Sequence, residues 1–132
     1  MSDSERTLYC LLGSYAVTGV LLFTAMFFGH KKRVKSHIAM IGLFLVGFVI
    51  TLYFAETLGR VYFNFEEQRK KIHLPLAYVA TGATLLPLAT GWRKWRGSGS
   101  LFAHRAAIFG FLAPFVLASA TGVWMLLSKT PK

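Results

Sequence analysis

The chain has 132 residues, of which 55% are hydrophobic and only 15% charged, against about 25% charged in ordinary soluble domains. Fifteen Lys and Arg against five Asp and Glu give a net charge of +10, and mean hydropathy is +0.51. These values exclude a disordered chain, a disulfide scaffold and a water-soluble globule, because too few polar side chains exist to clothe so small a surface. The length suits one domain, and the class that remains is an all-α membrane protein with several spans. The cations sit in short clusters between apolar runs, which marks membrane-flanking loops rather than a nucleic-acid face. The single cysteine, Cys10, cannot form an internal disulfide or a CxxC pair. No cleavable signal peptide is expected, because the residues before the first apolar run are not basic.

About 20 apolar helical residues cross a 30 Å hydrocarbon core. Four windows qualify: 8–28, 38–58, 72–91 and 104–127. Backbone groups in lipid must be satisfied within the segment, so each window reads as a helix. The polar–apolar alternation of a transmembrane barrel is absent. The third window is the most interrupted, with Pro75, Gly82 and Pro87. Pro114 is expected to kink the fourth. Connections of 30–36, 59–71 and 92–103 are short, which predicts an integral membrane up-down-up-down four-helix bundle, a single domain over 1–132. No internal repeat is expected.

Loops one and three carry Lys31, Lys32, Arg33, Lys35, Arg93, Lys94 and Arg96, with Arg105 just beyond. The other face carries Arg6, Arg60, Arg69, Lys70, Lys71, Lys129 and Lys132. The dense run after the first span favours loops one and three on the cytoplasmic side, in a bacterial inner membrane. Trp92, Trp95, Tyr62, Phe63 and Phe65 suit an interfacial belt.

Four histidines fall at span ends: His30, His37, His73 and His104. His37 opens the second span and His104 the fourth, at one depth on the face of loops one and three. Two imidazoles from different helices can hold a b-type haem slotted between them. The His37 face continues through Met40, Ile41, Phe44 and Phe48, and the His104 face through Ala107, Ile108, Phe111 and Phe115, at helical spacing. These would wall a porphyrin, with Gly47 and Gly110 relieving crowding and the cationic loops meeting the propionates. The competing readings are interfacial histidines facing headgroup water, with Ser36 as an N-cap and phenylalanines that merely pack. Copper or zinc is a further option. His73 opens the third span on the other face. A second haem there lacks an obvious partner, since Tyr9 and Cys10 open the first span and Met125 closes the fourth. His73 could pair with Glu56, but an i,i+4 pair between Glu56 and Arg60 is favoured. His30 belongs with the solvated basic loop. Ala118 to Gly122 has the small-x3-small spacing that lets helices approach.

The stretches Ser36-His37-Ile38-Ala39-Met40, Ile72-His73-Leu74 with Leu86-Pro87-Leu88, and Ala103-His104-Arg105 with Pro114 and Thr121-Gly122 resemble a family of small membrane proteins. That family includes the CtaM-type factors needed for haem-copper oxidase maturation. The resemblance covers roughly 37–127. The same skeleton is similar to compact four-helix b-type cytochromes, in which histidines opening successive helices bind haem between alternate ones. The resemblance implies His37 and His104 as axial ligands of one haem b and His73 as half of a second pair, although no histidine opens span one.

Three functions remain open. The first is a haem-binding membrane protein or subunit for electron transfer in a respiratory or photosynthetic complex, facing larger redox subunits and a quinone within the lipid bilayer. The second is an assembly factor for a terminal oxidase that handles haem or copper. The third is a purely structural accessory subunit. A stand-alone enzyme is less supported, because no nucleophile–base set or phosphate loop is present. A channel lacks an ion path.

Overall fold

The computed structural model describes all residues 1–132 and is all-helical apart from two strands of two residues. Helix α1 spans Asp3–His30 and α2 spans Val34–Thr57, extended by a π-helical turn at Leu58–Tyr62. Helices α3 (Glu67–Ala83) and α4 (Leu85–Trp95) together make the third span, and α5 covers Leu101–Leu126. All four spans are long and apolar enough to cross a membrane. Their outward side chains are apolar, as at Phe23 (72% exposed) and Phe109 (71%), a surface that suits lipid and not water.

The chain divides into two compact units. Unit 1 comprises residues 1–63 with Pro131 and Lys132, and unit 2 comprises 64–130. Each unit is an antiparallel helical hairpin.

In unit 1, α1 packs along α2 through small residues. Thr18 is 1% exposed, Ala25 is fully buried and Thr51 is buried. Thr51 Oγ1 donates to the Gly47 carbonyl at 2.9 Å, so its oxygen accepts from Thr18 Oγ1 at 3.3 Å. Gly47 faces α1 closely, where a Cβ would be 2.7 Å from Thr18 Oγ1. The glycine therefore admits the Thr18 side chain of α1. Ser2 and Glu5 form a capping box that starts α1. At the close of the unit, the Lys132 N–H donates to Tyr62 O at 3.1 Å, and Lys132 Nζ donates to the carbonyls of Gly59 and Arg60.

The first turn is tighter than expected, because α1 and α2 run into the polar residues on either side. Arg33 N–H donates to Phe28 O at 2.9 Å and Lys32 N–H to Gly29 O at 3.2 Å. This is the Schellman pattern, which needs a left-handed residue. Lys32 takes that place with φ 56°, so Ser36 lies inside the first turn of α2 and is not its N-cap, which is Arg33. Left-handed backbone costs a non-glycine residue about 1 kcal/mol. Lys32→Gly should therefore raise stability by up to about 1 kcal/mol, read as thermal unfolding in detergent.

In unit 2, α5 packs against both α3 and α4, burying Ala80, Thr84, Phe111 and Ala118. The third span breaks at Thr84, where Pro87 leaves the Ala83 carbonyl without a donor. Thr84 Oγ1 turns back to the Thr81 carbonyl there. Helix α5, by contrast, runs unbroken through Pro114. The second Schellman pattern ends α4: Ser98 N–H to Arg93 O at 2.9 Å and Gly97 N–H to Lys94 O at 3.0 Å, with Gly97 at φ 77°. Ser100 then caps α5 by accepting from Ala103 N–H at 3.0 Å. At the far end Arg69 joins three groups: Glu66 at 2.6 Å, the Trp124 carbonyl at 2.7 Å, and the Trp124 ring at 4.9 Å. In unit 1, Glu56 pairs with Arg60 at 2.5 Å, as the i,i+4 spacing predicted.

Candidate functional site: histidines seated on glycines

Three of the four histidines share one local construction. His37, at the start of α2, lies against Gly29 near the end of α1. A Cβ on Gly29 would meet the imidazole Nδ1 at 3.1 Å. His104, at the start of α5, lies against Gly91 of α4, where a Cβ would meet Cε1 at 3.0 Å. His73, near the start of α3, lies against Gly122 of α5, where a Cβ would again meet Cε1 at 3.0 Å. Each ring is half-buried and occupies the volume a larger residue would take. His30 is exposed and has no such seat.

The hydrogen bonds assign the tautomers. His37 Nδ1 is 2.7 Å from the Ala25 carbonyl, which can only accept, so Nδ1 carries the proton. Thr90 Oγ1 donates its proton to Leu86 O at 2.8 Å and so accepts from His104 Nδ1–H at 3.2 Å. Thr121 Oγ1 donates to Leu117 O at 2.8 Å and accepts from His73 Nδ1–H at 3.2 Å. In a neutral imidazole with Nδ1–H, the lone pair is on Nε2. A metal-ligating histidine commonly shows this arrangement, with the second nitrogen donating to a carbonyl or other acceptor that fixes the ring.

Hydropathy and local motifs pass over the spacing behind this construction. His73 and Gly91 are 18 residues apart, as are His104 and Gly122. Eighteen residues make about five helical turns, so both lie on one face about 27 Å apart. When two such spans pair antiparallel, the histidine of each meets the glycine of the other. Both glycines follow a threonine, Thr90 and Thr121, which supplies the acceptor. In the first hairpin the same register holds Leu11 and Gly29 on α1, and His37 and Ala55 on α2. That hairpin therefore has one histidine seat, and the second has two.

A second signal corrects the expectation of no internal repeat. The pattern His-x-Ala-x-Ile-x2-Phe-Leu-x2-Phe-Val occurs over 37–49 and again over 104–116. The structure repeats it. Phe44 and Phe111, seven residues after the histidines, are 3% and 2% exposed. Phe44 stacks with Phe48 at 5.7 Å, and Phe111 tilts against Phe115 at 5.3 Å. His37 and His104 are thus equivalent residues of two hairpins. Met40 and Ala107, one turn on, are half-buried. Gly110 makes only ordinary contact with Leu86.

A cavity of about 160 Å³ opens next to the His104 seat, lined by Thr90, Arg93, Ser98, Gly99, Ser100 and Ala103. It offers a guanidinium and hydroxyls, a lining that suits a carboxylate. No group of three or more His, Cys, Asp or Glu side chains is positioned to hold a bare metal ion. Ala118 is buried and Gly122 lets α3 approach α5 with the His73 ring against it, as the small-residue spacing suggested, while Thr121 rather than Glu56 lies within hydrogen-bond reach of His73.

No family model, curated protein or solved structure matches the chain.

Proposed function

We propose that the protein is an integral membrane haem-b-binding protein of the electron-transfer type, in which His37 and His104 would supply imidazole ligands to haem. One observation carries this reading: equivalent positions of two repeated hairpins each hold an imidazole by Nδ1–H, which puts the lone pair on Nε2, the ligand-type atom. The donor set fits a porphyrin better than a bare ion. Zinc or copper needs three or four protein ligands, whereas a porphyrin brings four nitrogens and asks the chain for two.

Bound haem supplies one-electron transfer. The chain's own residues bind, orient and shield it. Ala25 and Thr90 hold the rings in one tautomer. Met40 and Ala107, half-buried one turn beyond the histidines, would supply apolar surface there, with the buried Phe44 and Phe111 further along the same stripes. Arg93 and Ser100 offer a carboxylate partner for a propionate. In this reading the four spans form an up-down-up-down bundle in a bacterial inner membrane, with loops one and three cytoplasmic. A quinone or a subunit of a larger redox complex exchanges the electron.

Thr90→Val keeps the side-chain shape and removes the acceptor. Haem affinity should fall about tenfold or more, and the midpoint potential should rise, because a less basic imidazole stabilises ferric iron less. Redox titration checks both direction and size. The reading as a whole is tested by expressing the protein with ample haem and recording a reduced-minus-oxidised spectrum with a pyridine haemochrome assay. A dithionite-sensitive Soret band supports it, and protein free of haem overturns it.

A further inference from the structure

Charge is distributed unequally between the two ends of each hairpin. At the turn of unit 1, Lys31, Lys32, Arg33 and Lys35 are all exposed, and no carboxylate lies between Glu5 and Glu56. At the turn of unit 2, Arg93, Lys94, Arg96 and Arg105 are exposed, and no carboxylate follows Glu67. None of these cations is in an ion pair. The open ends of the hairpins are built differently. All of the chain's carboxylates lie there, and Asp3 pairs with Arg6, Glu56 with Arg60, Glu66 with Arg69 and Glu67 with Lys70. The net charge of +10 therefore sits mainly at the two turns.

Clustered like charges repel one another unless anions gather beside them. Neither turn is a loose loop that could spread its charges, because Lys32 and Gly97 fill the left-handed positions of Schellman turns. The residues just inside the spans are apolar and exposed: Phe27 and Val34 in unit 1, Trp92 and Trp95 in unit 2. Lys31 Nζ lies 5.8 Å from the centre of the Phe27 ring, so cation and aromatic group share one rim. Such a rim matches the boundary between acyl chains and headgroups. A soluble polyanion such as nucleic acid would use the cations and leave the apolar part of the rim uncovered.

We infer that the turn of each hairpin is a binding surface for anionic phospholipid headgroups. Lys31, Lys32, Arg33 and Lys35 meet the phosphodiester anions in the first hairpin, and Lys94, Arg96 and Arg105 do so in the second. Arg93 is left to the cavity beside His104. The inference does not depend on haem. A zwitterionic headgroup brings its own cation and is held less tightly. Each Lys or Arg near an anionic membrane surface strengthens binding roughly fivefold.

The test titrates the full chain in detergent with phosphatidylglycerol or phosphatidylcholine and counts bound lipid by native mass spectrometry. Phosphatidylglycerol should bind at least about tenfold more tightly. The variants Lys31→Gln/Lys32→Gln/Arg33→Gln/Lys35→Gln and Lys94→Gln/Arg96→Gln/Arg105→Gln should each lower phosphatidylglycerol occupancy, and the two sets combined should abolish the preference. Lys70→Gln/Lys71→Gln, at an open end, should keep it. Should the combined variant fail to fold, salt reports on the wild type instead. Raising it from about 0.1 to 1 M shortens the screening length from about 10 to 3 Å, which should weaken phosphatidylglycerol binding at least about tenfold and spare phosphatidylcholine. Equal binding of the two lipids, or a preference that survives neutralisation or high salt, overturns the inference. Displacement of phosphatidylglycerol by equimolar inorganic phosphate or single-stranded DNA would assign the turns to a soluble anion and overturn it too.

Discussion

His37→Ala and His104→Ala should each remove the low-spin haem, and by the same amount. The equality is the informative part. Groups that merely orient a metal ligand change affinity by about 10–100-fold, so deleting the ligand itself should cost more than that. The two residues occupy one place in a repeated pattern, and each donates its Nδ1–H, His37 to the Ala25 carbonyl at 2.7 Å and His104 to Thr90 Oγ1 at 3.2 Å. Bound low-spin haem should therefore fall to about a few per cent or less of wild type in either variant, measured by haemochrome content per protein. The fold should persist, since each imidazole is half-buried at a span end and its removal leaves a glycine opposite. Added imidazole should restore part of the low-spin spectrum in both. If only one variant loses haem, two-fold equivalence is the wrong account of the site.

The second large effect is structural and lies in the first hairpin. Gly47→Ala should destabilise unit 1 by about 1–3 kcal/mol, the usual cost of overpacking. The added methyl would lie 2.7 Å from Thr18 Oγ1. Thr18 cannot swing aside, because it is 1% exposed, β-branched and hydrogen-bonded to Thr51. Thr18→Ala alone should cost about 1 kcal/mol for the lost hydrogen bond. The double variant should be more stable than the sum of the singles by about 1 kcal/mol or more, a coupling that only touching residues show. Thermal unfolding of the four proteins in one detergent gives the cycle. Additive values would mean that the two helices do not meet there.

The four spans were legible because apolar length is a property of each segment alone. Their ends were not. Hydropathy stops at the first polar residue, whereas α1 runs to His30 and turns on Lys32, because a Schellman turn can close with a cation in the left-handed position. The third span breaks at Thr84, three residues before Pro87, whereas α5 stays continuous through Pro114. Prolines alone therefore do not predict which helix parts. The histidines were legible as costly groups at span ends. Their seats were not, because Gly29, Gly91 and Gly122 acquire meaning only once the antiparallel register of each hairpin is known. The 18-residue spacing from His to Gly was present in the chain, but it separates opposite ends of a helix and lies outside any window used to seek amphipathic faces. The repeated His–Phe–Phe pattern is hidden for a related reason: its matches are mostly apolar residues on spans that are apolar throughout.

Ferric electron paramagnetic resonance of the purified, oxidised protein tests the central claim most directly. A low-spin spectrum with the rhombic signature of two neutral imidazoles, lost in both His37→Ala and His104→Ala, is the predicted result. A wild-type protein that binds haem but shows only high-spin iron, or low-spin iron indifferent to both substitutions, would contradict it.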